Sequence, residues 1–379
     1  MMTNEQFYTA ANLRDNPFRT NPVADADPRR GIWVGYPKQR LVLSKHLERA
    51  RADQVGNLNF LLIYGELGTG KSHALLWSQY QVLHAQKAEY DSVAYYIQTL
   101  QRDKGKVSFG AAFLEDVVGK SNLVNDVLSY RQFVGERFIE FKREKGLGND
   151  ISNDKVAELM VPSMDMQNTL RQILRCEDAA SAKAFLNPGG DYAAMLLFCR
   201  LTNLFVHPYV LGSGPKRFRK GVYLFIDELD ILAEISAKEA RDTNALIRHI
   251  CDLCPNCFFF GLGFTATSAE LGVLFEDYNL SRVSRTIVLD FLQPNEAKDF
   301  VKEILNTARI DTKRKINYFP FTEEAIASIV SQIVSITPRK IVNTMQQVIE
   351  ECRLAGIDPA KELITTEILD KNEIWEMIL

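Results

Sequence analysis

One eight-residue run constrains this chain more than any other: Gly65-Glu66-Leu67-Gly68-Thr69-Gly70-Lys71-Ser72. It follows an apolar stretch, Phe60-Leu61-Leu62-Ile63-Tyr64, and opens a helical one, Ala74-Leu75-Leu76-Trp77. Strand, glycine loop and helix therefore come in the order that a phosphate-binding loop requires. Glycines let backbone N–H groups turn inward on phosphate oxygens, and a helix N-terminus adds its positive dipole end. Gly65 through His73 would cradle the phosphates, with Lys71 reaching the β and γ oxygens and the Ser72 hydroxyl ligating Mg²⁺. The run predicts that a nucleoside triphosphate, ATP or GTP, is bound.

The second half of such chemistry is an acidic pair at the end of another buried strand, and Val222-Tyr223-Leu224-Phe225-Ile226-Asp227-Glu228 supplies it. Asp227 would hold the Mg²⁺ shell. Glu228, one residue on, stands where a carboxylate can orient and deprotonate a water aimed at the γ-phosphate. Hydrolysis is expected, not binding alone.

Strand-like and helical stretches alternate around these motifs. The β-branched and aromatic run Ser92-Val93-Ala94-Tyr95-Tyr96-Ile97-Gln98 reads as the second strand, after a helix from Lys71 to about Ala88. Such alternation predicts an α/β fold, a parallel P-loop NTPase sheet flanked by helices. Phe258-Phe259-Phe260-Gly261-Leu262-Gly263-Phe264 reads as a further strand, delivering Thr265, Thr267 and Ser268 to the edge of the glycine loop, where a polar residue can sense the γ-phosphate. Thr286-Ile287-Val288-Leu289-Asp290-Phe291 reads as the last strand.

Residues 1–30 are rich in Asn, Pro, Asp and Arg, with Asn16-Pro17-Phe18 and Asn21-Pro22 as turn punctuation, so they read as an arm whose Phe18 docks on the core. The nucleotide-binding domain spans 31–292. A parallel crossover needs only about a dozen or more residues, and the interval from Ser72 to Asp227 is many times that. A large insertion at about 101–205 is therefore expected, and its amphipathic stripes Leu128 to Phe141, Met166 to Arg175 and Ala193 to Val206 read as helices. Residues 293–379 form a C-terminal helical lid: Asn295 to Asn306, Thr322 to Ser335, and a helix begun by Thr337-Pro338-Arg339.

The 379 residues, 46% hydrophobic and 25% charged, suffice for one large core and a smaller one. A formal net charge of −3 leaves any nucleic-acid contact to a local patch. Two are candidates, Arg102-Asp103-Lys104-Gly105-Lys106 and Lys216-Arg217-Phe218-Arg219-Lys220; the second, with Phe218 interleaved, is the better site for DNA. The N-terminus carries no apolar leader and no run reaches the roughly 18 apolar residues a membrane span needs, so the chain is expected in the cytoplasm. Its six cysteines fit reduced thiols. Cys251-x-x-Cys254-x-x-Cys257, with His249 upstream, has metal-like spacing, but the thiols straddle a helix end and a strand start, and structural filler is the preferred reading.

Taken together, these residues resemble the AAA+ ATPases over nearly the whole chain except the insertion. The resemblance implies that Thr265 is the polar sensor after the fourth strand, where the family usually has Asn, and that Arg339 is the lid arginine. It also implies an arginine finger reaching into a neighbouring subunit, matched best by Arg282, with Arg285 close behind. The preference for adenine rests on the resemblance; no Asn-Lys-x-Asp run that reads guanine occurs. The Leu280-Ser281-Arg282 box and the lid text Phe321-Thr322-Glu323-Glu324-Ala325 look most like the initiator and transposition-regulator branch, together with ATPases of prokaryotic phage defence.

The leading expectation is an ATP-hydrolysing homo-oligomer that acts as a switch on DNA or a DNA-associated protein. The competing one is a nucleotide-dependent signalling or scaffold protein that senses a protein partner through the helical insertion without DNA. A small-molecule P-loop kinase would need a substrate pocket and no lid arginine, and Arg339 counts against it.

Overall fold

The structure, a computed structural model, describes residues 3–19, 28–52, 59–84, 91–103, 105–148, 151–212, 214–267, 270–312 and 318–374. The turn at Asn21-Pro22, Lys104 and Ser268 lie outside them. The chain divides into two compact units, one of Leu41–Tyr64 and Lys71–Val288, the other of Met1–Arg40, Gly65–Gly70 and Leu289–Leu379.

In the first of these, near-continuous apolar runs form a sheet covered on both faces, the pattern of buried parallel strands. The strands are β1 (Asn59–Gly65), β2 (Ser92–Ile97), β3 (Gln101–Asp103), β4 (Lys106–Ser108), β5 (Tyr209–Leu211), β6 (Gly214–Lys216), β7 (Gly221–Ile226), β8 (Phe258–Thr265) and β9 (Arg285–Leu289). Five make the central sheet in the order β2-β7-β8-β1-β9. Parallel registers set Ile97 beside Ile226 and Ile226 beside Leu262. The residues that follow, Gln98, Asp227 and Gly263 to Thr265, therefore emerge at one edge, the carboxyl edge where α/β sheets place ligands. Helices α2 (Pro37–Ala52) and α3 (Lys71–His84) precede and follow β1.

The insertion is not purely helical. Helices Leu123–Glu144, Asn153–Met160, Met164–Leu174, Ala179–Phe185 and Asp191–Val206 are entered through the β3–β4 hairpin and a π-helical turn, Phe113–Gly119, and left through the β5–β6 hairpin. Its aromatic centre joins Tyr130 to Phe205 and Phe218, with ring centroids 5.2 and 5.3 Å away. Phe198 stands edge-on to Phe258 of β8 at 5.9 Å, so insertion and sheet share one core.

One buried ion pair staples that core. Asp126, only 1% exposed, accepts from Arg219 Nη2 at 3.2 Å and from the Tyr95 hydroxyl at 3.0 Å, linking the helix Leu123–Glu144 to β2 and to the approach to β7. Burial raises the Asp126 carboxyl's pKa, against the opposing pull of Arg219 and Tyr95. Desolvation thus outweighs attraction, the usual balance for buried pairs. Asp126→Ala, which removes the carboxylate facing the Arg219 guanidinium, is expected to destabilise this unit by about 3–5 kcal/mol, whereas Asp126→Leu with Arg219→Met should recover most of the loss. Denaturant melts of the single and double variants check this; equal losses in both would sink it.

In the second unit the N-terminal residues do more than trail. Helix α1 (Asn4–Ala10) is capped by Thr3 in a reciprocal box with Gln6, and Phe7 and Phe18 are fully buried. Arg14 N donates to Ala308 O at 2.9 Å and the Tyr8 hydroxyl to Glu350. The lid helices are Pro294–Thr307, Glu323–Ser331, Pro338–Leu354 and Thr366–Lys371, packed through Ile326, Ile329, Ile341, Met345 and Val348. Among the described residues no helix is long and apolar enough to cross a membrane.

Candidate nucleotide site

The glycine loop leaves β1 at Gly65 and enters α3 at Lys71. It is closed on itself by the Thr69 hydroxyl, which donates to Glu66 O at 2.8 Å, while Leu67 stands exposed at its tip. Gly68 has φ +83°, open to glycine but strained for other residues, and a Cβ there would lie 3.1 Å from the Arg339 Cβ. Arg339 N donates to Gly68 O at 3.2 Å, at the start of the helix that Thr337 caps. Thr337 and the exposed Arg339 thus sit against the loop that the sequence marked for phosphate.

On the sheet, Lys71 begins α3 and is 7% exposed; Ser72 and His73 follow it in the first turn. Asp227, 2% exposed, directly follows β7. Its Oδ1 accepts from Glu228 N and its Oδ2 from the Tyr96 hydroxyl, each at 2.9 Å. Gly263 of β8 passes close: a Cβ there would lie 2.7 Å from both Asp227 Oδ1 and Leu75 Cδ1, so only glycine lets α3 and the carboxylate approach across the strand. Glu228 adopts φ +50°, sparsely populated by residues with a side chain and costing on the order of 1–3 kcal/mol. Burial, and then the neighbouring charges of Asp227 and Asp230, raise its carboxyl's pKa. Asp230 accepts from Thr265 N, and Leu229 N donates to Gly263 O at 3.1 Å, which ties the acidic turn to the end of β8. Thr265 is half-buried there, whereas Thr267 turns to Glu270, its N–H donating at 2.7 Å.

Asp227, Glu228 and Thr265 are thus gathered at one strand edge with the start of α3. Tyr96, Asp230 and Gly263 join them and were not singled out from sequence. A polar-tipped aromatic one residue before a strand end was the available signal for Tyr96. The donor set, one hydroxyl and one buried carboxylate, is all oxygen and suits Mg²⁺, which usually takes one or two carboxylates and completes its shell with phosphate and water. Ser72 and Asp227 would hold it.

The two arginines proposed for a neighbour's site differ. Arg282 is already engaged: its Nε and Nη2 reach the two Asp252 oxygens at 2.7 and 3.2 Å, and Nη1 donates to Tyr278 O at 2.5 Å. Although burial pushes the Asp252 carboxyl up, hydrogen bonds from Arg282 and Arg248 hold it below its ordinary value. Arg285 is exposed at the start of β9, and among the described residues its side chain makes no hydrogen bond or ion pair. Ser284 N donates to Phe60 O at 2.8 Å, which places Arg285 beside the beginning of β1. About 16 Å of strand separates Phe60 from Gly65, farther than an arginine reaches.

Two members of the basic cluster before β7 are engaged within the chain. Arg219 is buried against Asp126 with its guanidinium 4.0 Å from the Phe218 ring centroid, and Arg217 Nη1 donates to Cys257 Sγ at 3.2 Å. Phe218 packs into the insertion's aromatic centre and is not offered for base stacking. Lys216, Arg217 and Lys220 remain exposed, the two lysine heads near Glu140 and Asp91 at 3.8 and 3.3 Å. Of the other cluster, Lys106 is exposed. Cys251 and Cys257 are buried, Cys254 partly so, and burial raises the thiol pKa values of Cys251 and Cys254. Among the described residues no group of three or more His, Cys, Asp or Glu side chains is placed to hold a metal ion.

No family model matches the chain, and no curated protein matches it in sequence. Among solved structures it is similar to the RuvB Holliday junction branch migration motor of Thermotoga maritima, at 14% identity and a TM-score of 0.41 over 89% of this chain and 68% of that one. It is similar to the ORC2 protein of Aeropyrum pernix in its ADP form, at 14% identity and 0.48 over 96% and 73%. The Walker-type ATPase of Pyrococcus abyssi gives 14% and 0.45 over 95% and 77%.

Proposed function

We propose that this chain binds and hydrolyses ATP as an AAA+-type switch, with its active sites completed at contacts between copies. The observation that carries the reading is the phosphate-loop sequence entering α3 with a buried Asp227 and a backbone-strained Glu228 after β7, one strand removed from β1 in the same sheet. In this reading backbone N–H groups of Gly68 to Ser72 and the Lys71 ammonium bind the β- and γ-phosphates. The Glu228 carboxylate orients a water in line with the γ-phosphorus and accepts its proton. Magnesium, held by Ser72 and Asp227, would neutralise charge on the transferring phosphoryl group. Thr265 reports the state of the γ-phosphate at the end of β8, and Arg339 reads it from the lid.

Arg282 is tied to its own chain through Asp252, and Arg285 is exposed, so we assign the trans finger to Arg285. The reading predicts specific activity that rises with protein concentration as copies associate. ATPase rates measured across a dilution series, with and without duplex DNA, test it. A rate per copy that stays flat on dilution into the nanomolar range would overturn the shared site. Stimulation by DNA would support a DNA-linked switch, while indifference to DNA favours a protein partner on the insertion, the alternative supported by the internal engagement of Phe218 and Arg219.

A further inference from the structure

Tyr96 is the residue before the last of β2, and parallel pairing sets it beside Phe225 of β7. That register brings its hydroxyl to Asp227 Oδ2 while the backbone of Glu228 occupies Oδ1. Two donors from different segments, one on each oxygen, hold the carboxylate's orientation. The strand end carrying Tyr96 is itself held. Asp227 N donates to Ile97 O at 2.9 Å, and Gln98 N donates to Asp116 Oδ2 at 3.1 Å. Asp116 is buried on the π-helical turn at the mouth of the insertion, and its other oxygen binds Lys120 Nζ at 2.8 Å.

We propose that Tyr96 is a positioning residue: its hydroxyl aims Asp227 at the magnesium–nucleotide complex, from a strand end that Asp116 of the insertion holds in place. The inference rests on the reading of Asp227 as the metal-holding carboxylate. Groups that hydrogen-bond a metal-ligating side chain fix its orientation, and their loss commonly costs 10–100-fold in metal affinity or activity.

The test is binding of a fluorescent N-methylanthraniloyl-ADP to the full chain by anisotropy, first in EDTA and then across a Mg²⁺ titration, for wild type, Tyr96→Phe and Asp227→Asn. All three are expected to bind alike in EDTA. Tyr96→Phe should need about 10-fold or more Mg²⁺ for half of the metal-dependent gain, with turnover recovering at high Mg²⁺ so that the apparent KM for Mg²⁺ moves more than kcat. Asp227→Asn should lose the metal-dependent gain. If Tyr96→Phe titrates like wild type while Asp227→Asn does not, the positioning role is wrong and the metal reading stands. If Asp227→Asn also titrates like wild type, both fall. A Tyr96→Phe chain that binds poorly in EDTA, or melts many degrees lower, would make Tyr96 structural and overturn the proposal.

Discussion

Glu228→Gln is expected to keep ATP bound and to stop its hydrolysis. The substitution preserves length and shape and removes only the ability to accept a proton, a contribution typically worth about 10²–10⁴-fold in rate. Gln inherits the same φ of +50°, so no new backbone strain enters and the melting temperature should hold. Phosphate release in a single turnover should fall by at least about 10²-fold. With ATP the variant should remain assembled in light scattering long after wild type has dissociated. Wild-type turnover in Glu228→Gln would remove Glu228 from the chemistry.

Arg285→Ala is expected to cost more, because arginine fingers supply on the order of 10³–10⁵ in turnover, while ATP affinity at the variant's own loop stays unchanged. Arg282→Ala should scarcely touch turnover: it breaks a half-exposed pair with Asp252, a class worth about 0–1 kcal/mol. A mixing experiment separates action across a contact from action within a chain. Lys71→Ala and Arg285→Ala proteins, each inactive alone, should regain part of the activity when combined, since some interfaces then join an intact loop to an intact arginine. No recovery on mixing would exclude the trans assignment. Loss with Arg282→Ala and not Arg285→Ala would reverse the choice between them.

The features legible in the sequence are those written locally. Phe60 to Tyr64, Val222 to Ile226 and Phe258 to Phe264 are apolar enough to announce buried strands, and the glycine loop states its own context. What escaped is set by partners distant in the chain. Arg219 looks like a solvated cation until Asp126, on an insertion helix, is placed beside it. Arg282 looks free until Asp252 closes on it. Tyr96 reads as one more strand aromatic until the register with β7 aims it at Asp227. The hairpins β3–β4 and β5–β6 have three-residue strands, too short for alternation to register.

The shared core has a consequence for how this protein can be shortened. Removing the segment between β2 and β7 as though it were an appendage would strip Phe198 from the rings it covers and bare Tyr95 and Phe258 to water. Such a chain would carry an exposed apolar sheet face and should aggregate. A protease should likewise find few cuts there that release a folded NTPase remnant. The insertion is thus inherited with the sheet as one folding unit, and sequence change in it is bounded by packing before it is bounded by any partner.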